Sequence, residues 1–286
     1  MAPKTRHGII AMLVSTIFTI VLTEIALGVF DPWGMHYFDD LATIWDHVIG
    51  HAHRITVLPP GTYQLSNWSV TQLDDYTRYV PDNQGGPCTI VFVGDSFTWG
   101  HGVNDDETWI NLLARELPEA TVINTGFDGY NSENIRGTLL DFPDADIFVY
   151  FIVDNDAEPT NPVFRMTRVS MLKKYYTYIK NQYFTGDESP GESDNEELQL
   201  PPNTPDTIRF EADIAAMAQD GRTLFFGFDE VLTRLLQPDY EVTILPYHTH
   251  RISVADAHPD PRGHQEIKAA ILPYIQAAIA ANCGTG

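Results

Sequence analysis

The chain has 286 residues, of which 43 % are hydrophobic, enough for one large domain or two small ones with a sizeable core. Its 39 acidic and 17 basic residues give a formal net charge of −22. This charge argues against nucleic-acid binding, which needs a basic surface. The two cysteines, Cys88 and Cys283, form no metal motif; they could pair in an exported protein or stay free, buried thiols.

Residues 8–30 form an apolar stretch with one charged residue, Glu24, near its outer end. At about 1.5 Å per residue, this stretch can span a hydrocarbon core of roughly 30 Å. Basic residues precede it and acidic residues follow it, which predicts a cytoplasmic N-terminus and export of everything after Asp31. We expect residues 1–31 to be an uncleaved transmembrane anchor. The alternative is a cleaved signal peptide, because residues 26–28 resemble a cleavage site. In that case the protein would be secreted.

Residues 32–86 have mixed character, and we expect a small β-rich annex between the membrane and the main domain. The spacing of apolar residues predicts a helix over residues 40–53. Short β-like runs separated by Pro- and Gly-rich turns follow it, at residues 55–58, 68–71 and 77–80.

From residue 87 to residue 286 strands alternate with helices, which predicts a domain built on a parallel α/β sheet. Its first strand, residues 89–93, reads as one buried on both faces. Further strands are predicted at 121–124, 146–153, 223–228 and 241–246, and helices at 107–117, 132–142, 168–184, 208–218 and 262–281. Residues 185–206 are acidic and rich in Pro, Gly and Ser, so we expect a disordered loop within this domain. Residues 248–261 are expected to form a loop before the last helix.

The first strand of this domain ends at Gly94-Asp95-Ser96. A serine at the carboxyl end of a central parallel strand, next to a helix start, lies where open α/β sheets bind ligands. Its hydroxyl is a candidate nucleophile if a base can reach it. The structural alternative for Ser96 is a helix cap.

Further candidate residues lie near the ends of other strands and before the last helix. Gly129 follows the second strand, Asn155 follows the third, and Asp256 and His258 precede the last helix. Because the ends of parallel strands share one edge of a sheet, these residues can converge. Ester hydrolysis needs this set, with His258 as base to Ser96 and acid to the leaving alcohol, and Asp256 holding the imidazole. The N–H groups of Ser96 and Gly129 and the amide of Asn155 would bind the oxyanion.

These residues occur in the block order of the SGNH, or GDSL-type, hydrolase family, which the chain resembles over residues 88–286. The matching blocks are Gly94-Asp95-Ser96, Gly129, Asn155-Asp156 and Asp256-Ala257-His258-Pro259. The resemblance implies a flavodoxin-like three-layer α/β/α sandwich and a cofactor-independent esterase, lipase, carbohydrate O-deacetylase or O-acyltransferase. It assigns Ser96 as nucleophile, Gly129 and Asn155 as oxyanion donors, and Asp256 and His258 as acid and base. The third block lacks its usual glycine before Asn155, and the last has the shorter Asp-x-His spacing.

We therefore predict a membrane-anchored, extracytoplasmic serine esterase that hydrolyses O-acetyl or short-acyl esters, with a carbohydrate as the candidate alcohol. An O-acyltransferase that uses the same serine, and an inactive glycan-binding module, are the alternatives. No cofactor and no metal is expected, because no set of ligands has the spacing of a metal site. His47, His51 and His53 have helical spacing but no accompanying carboxylate motif, so we expect them at the surface.

Overall fold

The structure, a computed structural model, describes residues 3–159, 168–181, 183 and 204–284. The chain begins with a long helix, α1 (Pro3–Phe30). Its segment Gly8–Phe30 has a mean hydropathy of 2.2, and none of these residues is buried against the rest of the protein. This helix is long and apolar enough to cross a membrane, and a signal sequence has the same two properties.

Residues 31–87, all of them described, contain one helix and four short strands. These are α2 (Tyr37–Trp45), β1 (Ile49–His51), β2 (Ile55–Val57), β3 (Gly61–Gln64) and β4 (Ser69–Gln72). β1 pairs with β2 and β3 pairs with β4, in both cases antiparallel. The prediction of several short strands here is confirmed, although β1 and β3 were not among them.

The predicted helix over residues 40–53 is wrong in its second half. The helix ends at Trp45, and the chain then forms the β1–β2 hairpin, in which Ile49 pairs with Val57. The apolar residues beyond Trp45 that continued the helical spacing are β-branched, and such residues suit a strand at least as well as a helix.

The predicted strand over residues 77–80 is also wrong. Arg78 instead makes two isolated bridges, to Gln72 and to Asn124, and its fully buried guanidinium turns toward the loop after the first core strand. It donates to the carbonyl oxygens of Trp99 at 2.7 Å and Val103 at 2.7 Å. A buried guanidinium needs several acceptors, and these carbonyls supply them.

Residues of the N-terminal region are part of a core shared with the sheet. Ile44, Leu58, Trp68 and Val70 are buried in the same hydrophobic cluster as Val91 of the first core strand. The region therefore packs directly on the main domain. The expected boundary at residue 86 stays a prediction.

The rest of the chain alternates strands and helices. In chain order the elements are β5 (Cys88–Gly94), α3 (Ser96–Trp99), α4 (Trp109–Ala114), β6 (Ala120–Asn124), α5 (Ser132–Asp141), β7 (Ile147–Ile152), α6 (Met171–Lys180), α7 (Pro205–Asp220), β8 (Thr223–Gly227), α8 (Val231–Leu236), β9 (Val242–Ile244), β10 (Arg251–Ser253), β11 (Asp256–Pro259) and α9 (Pro261–Asn282). Five strands form a parallel sheet in the order β6-β5-β7-β8-β9. Numbered along the chain this order is 2-1-3-4-5, that of flavodoxin-like folds.

Helices cover both faces of the sheet. On one face, Trp109 and Leu113 of α4 and Ile271 of α9 belong to one buried cluster with the sheet. On the other face, Ile135 of α5 and Phe210 of α7 belong to a second cluster. The fold is thus a three-layer α/β/α sandwich with a central parallel sheet, as predicted.

Two departures concern the loops. Residues 185–203 of the predicted acidic loop lie outside the described residues, whereas residues 204–206 begin α7, with Thr204 capping it by accepting from the N–H of Thr207 at 3.2 Å. The loop predicted over residues 248–261 contains the antiparallel hairpin β10–β11, in which Ser253 pairs with Asp256. This segment is rich in polar residues and lacks the apolar alternation by which strands are recognised.

Cys88 and Cys283 form a disulfide bond. It joins the start of β5 to the residue that follows α9, so it links the first core strand to the last helix. Of the two states that the sequence left open, the structure has the paired one.

Candidate active site

The local structure around Ser96 is built by its two preceding residues. A Cβ on Gly94 would lie 2.1 Å from Thr98 Oγ1, so only glycine fits where β5 ends. Asp95 caps α3, its Oδ1 accepting from the N–H of Phe97 at 2.9 Å. Ser96 is the first residue of this short helix, at the carboxyl end of the central strand β5.

Ser96, His258 and Asp256 form a continuous chain of contacts. Ser96 Oγ lies 2.6 Å from His258 Nε2, and His258 Nδ1 lies 2.5 Å from Asp256 Oδ1. Asp256 and His258 are both on β11, where side chains two residues apart point to the same face. The Asp-x-His spacing therefore brings the carboxylate beside the imidazole, and Asp256 also accepts from the backbone N–H of His258 at 3.0 Å.

Gly129 and Asn155 line the same cavity as these three residues, which has a volume of about 390 Å³. Gly129 has a φ of +74°, and a Cβ there would lie 3.0 Å from Trp45 Cζ2, so glycine is required on both counts. Asn155 follows β7, in a 3₁₀ turn over Asp154–Ala157. The structure thus brings all five sequence-predicted residues to one cavity at the carboxyl edge of the sheet.

Three polar groups of this cavity are unengaged. Among the described residues, neither the N–H of Ser96 nor that of Gly129 has a hydrogen-bond acceptor. The amide of Asn155 is exposed and likewise makes no hydrogen bond within the described ranges. Free donors beside a serine hydroxyl are what a developing oxyanion requires.

The turn that exposes Asn155 is fixed by its neighbour Asp156, which is fully buried. Asp156 Oδ2 accepts from the hydroxyl of Tyr150 at 2.9 Å and from the N–H of Val153 at 3.0 Å. Burial, together with the nearby charge of Asp95, raises the pKa of Asp156 well above its usual range. These bonds hold the turn in place without the glycine that usually precedes Asn155 in the resembled family.

The electrostatics of His258 are dominated by carboxylates. Burial by itself lowers its pKa, but the charges of Asp256, Asp128 and Asp95 raise it to about 9. Burial by itself raises the pKa of Asp256. The charge and hydrogen bonds of His258, with a smaller contribution from the charge of His101, outweigh burial and bring this pKa well below its usual range. At neutral pH the two side chains are therefore an imidazolium and a carboxylate.

Ser96 has a second contact besides His258. Its Oγ lies 3.0 Å from Asp95 Oδ2, so the hydroxyl can donate to Asp95 while it accepts from protonated His258. When His258 loses its proton, Nε2 becomes an acceptor and the hydroxyl can donate to it. In this geometry, Ser96 could act as a nucleophile only after His258 has lost its proton.

Two further residues line the cavity, His101 and Asp128. The sequence predicts His101 as a surface or substrate-pocket residue rather than the base, and Asp128 was not singled out. His101 is buried, with its Nδ1 3.4 Å from Asp128 Oδ2 and its Nε2 3.9 Å from Asp256 Oδ2. Both residues lie in loops after strands of the sheet, β5 and β6, which is the one signal that could have found them.

In the described part of the chain, two groups of side chains have the proximity of a metal site. One consists of Asp146 and the two cysteines, which the disulfide engages. The other consists of His101, Asp256 and His258. Both nitrogens of His258 already contact Asp256 and Ser96, so an ion here would displace the contact to the serine. His47 and His51 do not share a helix, because α2 ends at Trp45.

The sequence matches no protein-family model and no protein of curated function. Among solved structures it is similar to a lipolytic G-D-S-L family member from Veillonella parvula, with 13 % identity, 66 % of this chain and 98 % of that chain covered, and a TM-score of 0.34. A carbohydrate acetylesterase family member from Sinorhizobium meliloti has 15 % identity, coverages of 68 % and 99 %, and a TM-score of 0.36. An acetyl xylan esterase from Geobacillus stearothermophilus has 15 % identity, coverages of 67 % and 95 %, and a TM-score of 0.32. Likenesses this distant concern the fold, and no activity is inferred from them.

Proposed function

We propose that this protein is a serine ester hydrolase of the SGNH type, with Ser96 as its nucleophile. The observation that carries the proposal is the chain of contacts from Ser96 Oγ through His258 to Asp256, at 2.6 Å and 2.5 Å. A serine, an imidazole and a carboxylate in this order are the parts of a nucleophilic triad. The unengaged N–H groups and the amide of Asn155 beside the serine supply the remaining requirement.

Neutral His258 accepts the proton of Ser96 as Oγ attacks the ester carbonyl carbon. The oxyanion of the tetrahedral intermediate accepts hydrogen bonds from the N–H groups of Ser96 and Gly129 and from the amide of Asn155. The intermediate collapses to an acyl-enzyme when the bond to the alcohol breaks, and His258 gives its proton to the leaving oxygen. Water then attacks the acyl-enzyme by the same steps, releasing the acid and regenerating Ser96. Asp256 keeps the imidazole oriented and stabilises its cation.

An O-acetyl or other short-acyl ester of a carbohydrate is the substrate class we propose. The cavity of about 390 Å³ is small for a lipid chain together with its alcohol. A second cavity, of about 430 Å³, shares Gly129 and Asn155 with the first and is lined by the indole of Trp45 and by polar side chains such as Glu158. An aromatic ring among hydrogen-bonding groups suits the apolar faces and hydroxyl rims of a sugar.

We further propose that the protein stays anchored in a membrane by residues 8–30, with its catalytic domain outside the cytoplasm. Both carboxylate oxygens of Glu24 accept hydrogen bonds from the start of α6, from the N–H of Met171 at 2.7 Å and of Leu172 at 2.9 Å. Cleavage at residues 26–28 would remove Glu24 from this contact, so the contact favours an anchor over a signal peptide. The disulfide favours an oxidising compartment.

The test uses the full chain in detergent, with p-nitrophenyl acetate and butyrate as substrates and a fluorophosphonate probe. We expect turnover that the probe abolishes, a label on Ser96, and neither turnover nor label in Ser96→Ala. Ser66→Ala, which changes an exposed serine outside the cavity, is the matched control and should behave as the parent. A folded parent protein that neither turns over ester nor takes the label would overturn the proposal. Labelling with acyl transfer to an added glycan in place of hydrolysis would identify an O-acyltransferase instead.

A further inference from the structure

Helix α6 presents an unusual face to solvent. Its exposed residues recur at the spacing i, i+3, i+4 and i+7, which places them on one side of the helix: Lys173, Tyr176, Thr177 and Lys180. Tyr176 is 67 % exposed, and Tyr183, seven residues farther along and just beyond the end of α6, is 74 % exposed. Tyrosine rings flanked by lysines are the residue combination found where a protein meets the headgroups of a bilayer.

The charge of this helix is opposite to that of the chain. The net charge is −22, and only five lysines occur in the whole sequence. Three of them, Lys173, Lys174 and Lys180, lie in α6, which contains no Asp or Glu. Lys174 is buried and pairs with Asp39, so Lys173 and Lys180 supply the exposed positive charge.

The start of α6 is bound to α1 near the outer end of its apolar segment. Glu24 accepts from the first backbone N–H groups of α6, those of Met171 and Leu172. A hydrocarbon core of roughly 30 Å corresponds to about 20 residues of helix, and the apolar segment Gly8–Phe30 has 23, so its outer boundary lies between Leu27 and Phe30. Glu24 then lies roughly 5 to 9 Å inside that boundary. A helix whose N-terminus is at this level lies at the interface, not above it.

A second set of contacts fixes the orientation of α6 relative to the end of α1. The hydroxyl of Tyr175 lies 3.0 Å from Asp31 Oδ1 and 3.2 Å from the N–H of Trp33. The rings of Trp33 and Tyr175 stack with 4.7 Å between their centroids. The buried face of α6 is thus held against residues 31–33. The exposed face that carries Lys173, Tyr176, Thr177 and Lys180, here called the Lys–Tyr face, points away from the domain.

The cavity that contains Ser96 is close to the junction of α1 and α6. Phe38 and Ala255 line the cavity, and both also belong to the cluster formed by Leu27 of α1 and Met171 and Tyr175 of α6. One layer of side chains therefore separates the cavity from the junction of α1 and α6.

We propose that α6 is an interfacial helix, whose Lys–Tyr face rests on the headgroup region of the same bilayer that α1 crosses. The lysines face the lipid phosphates, the tyrosine rings lie at the level of the glycerol backbone, and the cavity is held beside the membrane surface. This surface is a continuation of the proposed anchor, and it does not depend on the hydrolytic chemistry.

The test uses the full chain, with its disulfide intact, reconstituted in phosphatidylcholine vesicles that contain phosphatidylglycerol as the minor lipid. A nitroxide is attached to Tyr176→Cys and, as a matched control, to Tyr274→Cys, whose tyrosine is 47 % exposed on α9. Collision rates are measured with oxygen, which enters lipid, and with a nickel chelate, which stays in water. We expect an oxygen-to-nickel ratio several-fold higher at position 176 than at position 274, and a fall in that ratio when Lys173→Glu and Lys180→Glu are added.

Equal ratios at the two positions in protein that floats with the vesicles would overturn the proposal while leaving the anchor intact. Protein that does not float would overturn the anchor and the proposal together. Spin–spin broadening at position 176 that unlabelled protein dilutes away would show a second copy of the chain on this face, which also overturns it. Labelling of Ser96 by the fluorophosphonate in the same samples reports the proposed hydrolase separately.

Discussion

The imidazole rings of His101 and His258 lie against each other, 4.7 Å between their centroids, and a nitrogen of each faces the carboxylate of Asp256. Oδ1 of Asp256 is 2.5 Å from His258 Nδ1, and Oδ2 is 3.9 Å from His101 Nε2. The carboxylate is thus held from both sides. His258 is free to rotate only at the expense of its contact with Asp256, which keeps Nε2 directed at the serine.

We predict that Asp256→Asn lowers kcat for p-nitrophenyl acetate by about 10⁴-fold, because a neutral amide no longer holds the imidazole in the reactive tautomer or stabilises its cation. The amide has nearly the shape of the carboxylate, so the fold and the position of Ser96 should be unchanged. The measurement is steady-state kinetics, with circular dichroism to check folding. Asp74→Asn, an exposed aspartate outside the cavity, is the matched control. A folded Asp256→Asn protein with activity within about tenfold of the parent would contradict the role given to Asp256.

We predict that kcat/KM rises with pH up to about pH 9 and is level above it. The base must be neutral, and the carboxylates of Asp256, Asp128 and Asp95 outweigh burial and raise the pKa of His258 to about 9. Asp128→Asn removes one of these charges and should move the rise to lower pH. Burial also raises the pKa of Glu230, in the same cavity, to about 8, so Glu230→Gln is the control and should leave the rise in place. A rise centred near pH 6.5 in the parent protein would contradict this account.

The His258–Asp256 pair also makes the free energy of unfolding depend on pH. The pKa of His258 is raised above its model-compound value of 6.5, so its contribution is fully present below pH 6.5 and is lost as the pH rises through about 9. The pKa of Asp256 is depressed below 3.8, so its contribution is present above that pH and is lost at lower pH. The difference in Tm between the parent protein and Asp256→Asn should therefore be largest between about pH 4 and pH 6.5 and shrink above pH 9. Thermal unfolding across this pH range is the measurement, and a difference that grows above pH 9 would contradict the pairing.

We predict that Asn155→Ala lowers kcat by about 10²- to 10³-fold, the usual cost of removing one oxyanion donor. kcat/KM should fall by the same factor, because the hydrogen bond forms only with the tetrahedral intermediate. Tm should change little, because the amide is exposed and bonds to no other described residue. Asn282→Ala, which changes an exposed asparagine at the end of α9 and outside the cavity lining, serves as the control. A change in KM alone would assign Asn155 to substrate binding instead.

The sheet and the convergence of the five candidate residues on one cavity could be predicted because they depend on local signals. The strands of the sheet are apolar and β-branched, and ligands bind where parallel strands end, so Ser96 and Asn155 are visible from the sequence. The hairpin that carries Asp256 and His258 was missed because its residues are polar and their pairing depends on contacts made elsewhere in the fold. Asp128 was missed, and the contact of His101 with the carboxylate of Asp256 was not foreseen, because a single histidine or aspartate in a loop acquires its role only when the fold brings it beside another charge.

The last prediction concerns the disulfide between Cys88 and Cys283, which closes a loop of 195 residues. Removing a crosslink over so long a loop costs about 2–5 kcal/mol, mainly by freeing the unfolded chain. The double variant Cys88→Ser, Cys283→Ser should therefore unfold at lower denaturant concentration than the parent. Addition of a reductant should lower the midpoint of the parent to that of the double variant and leave the variant unchanged. A parent protein insensitive to reductant under denaturing conditions, with a midpoint equal to that of the variant, would show that the two cysteines are not paired.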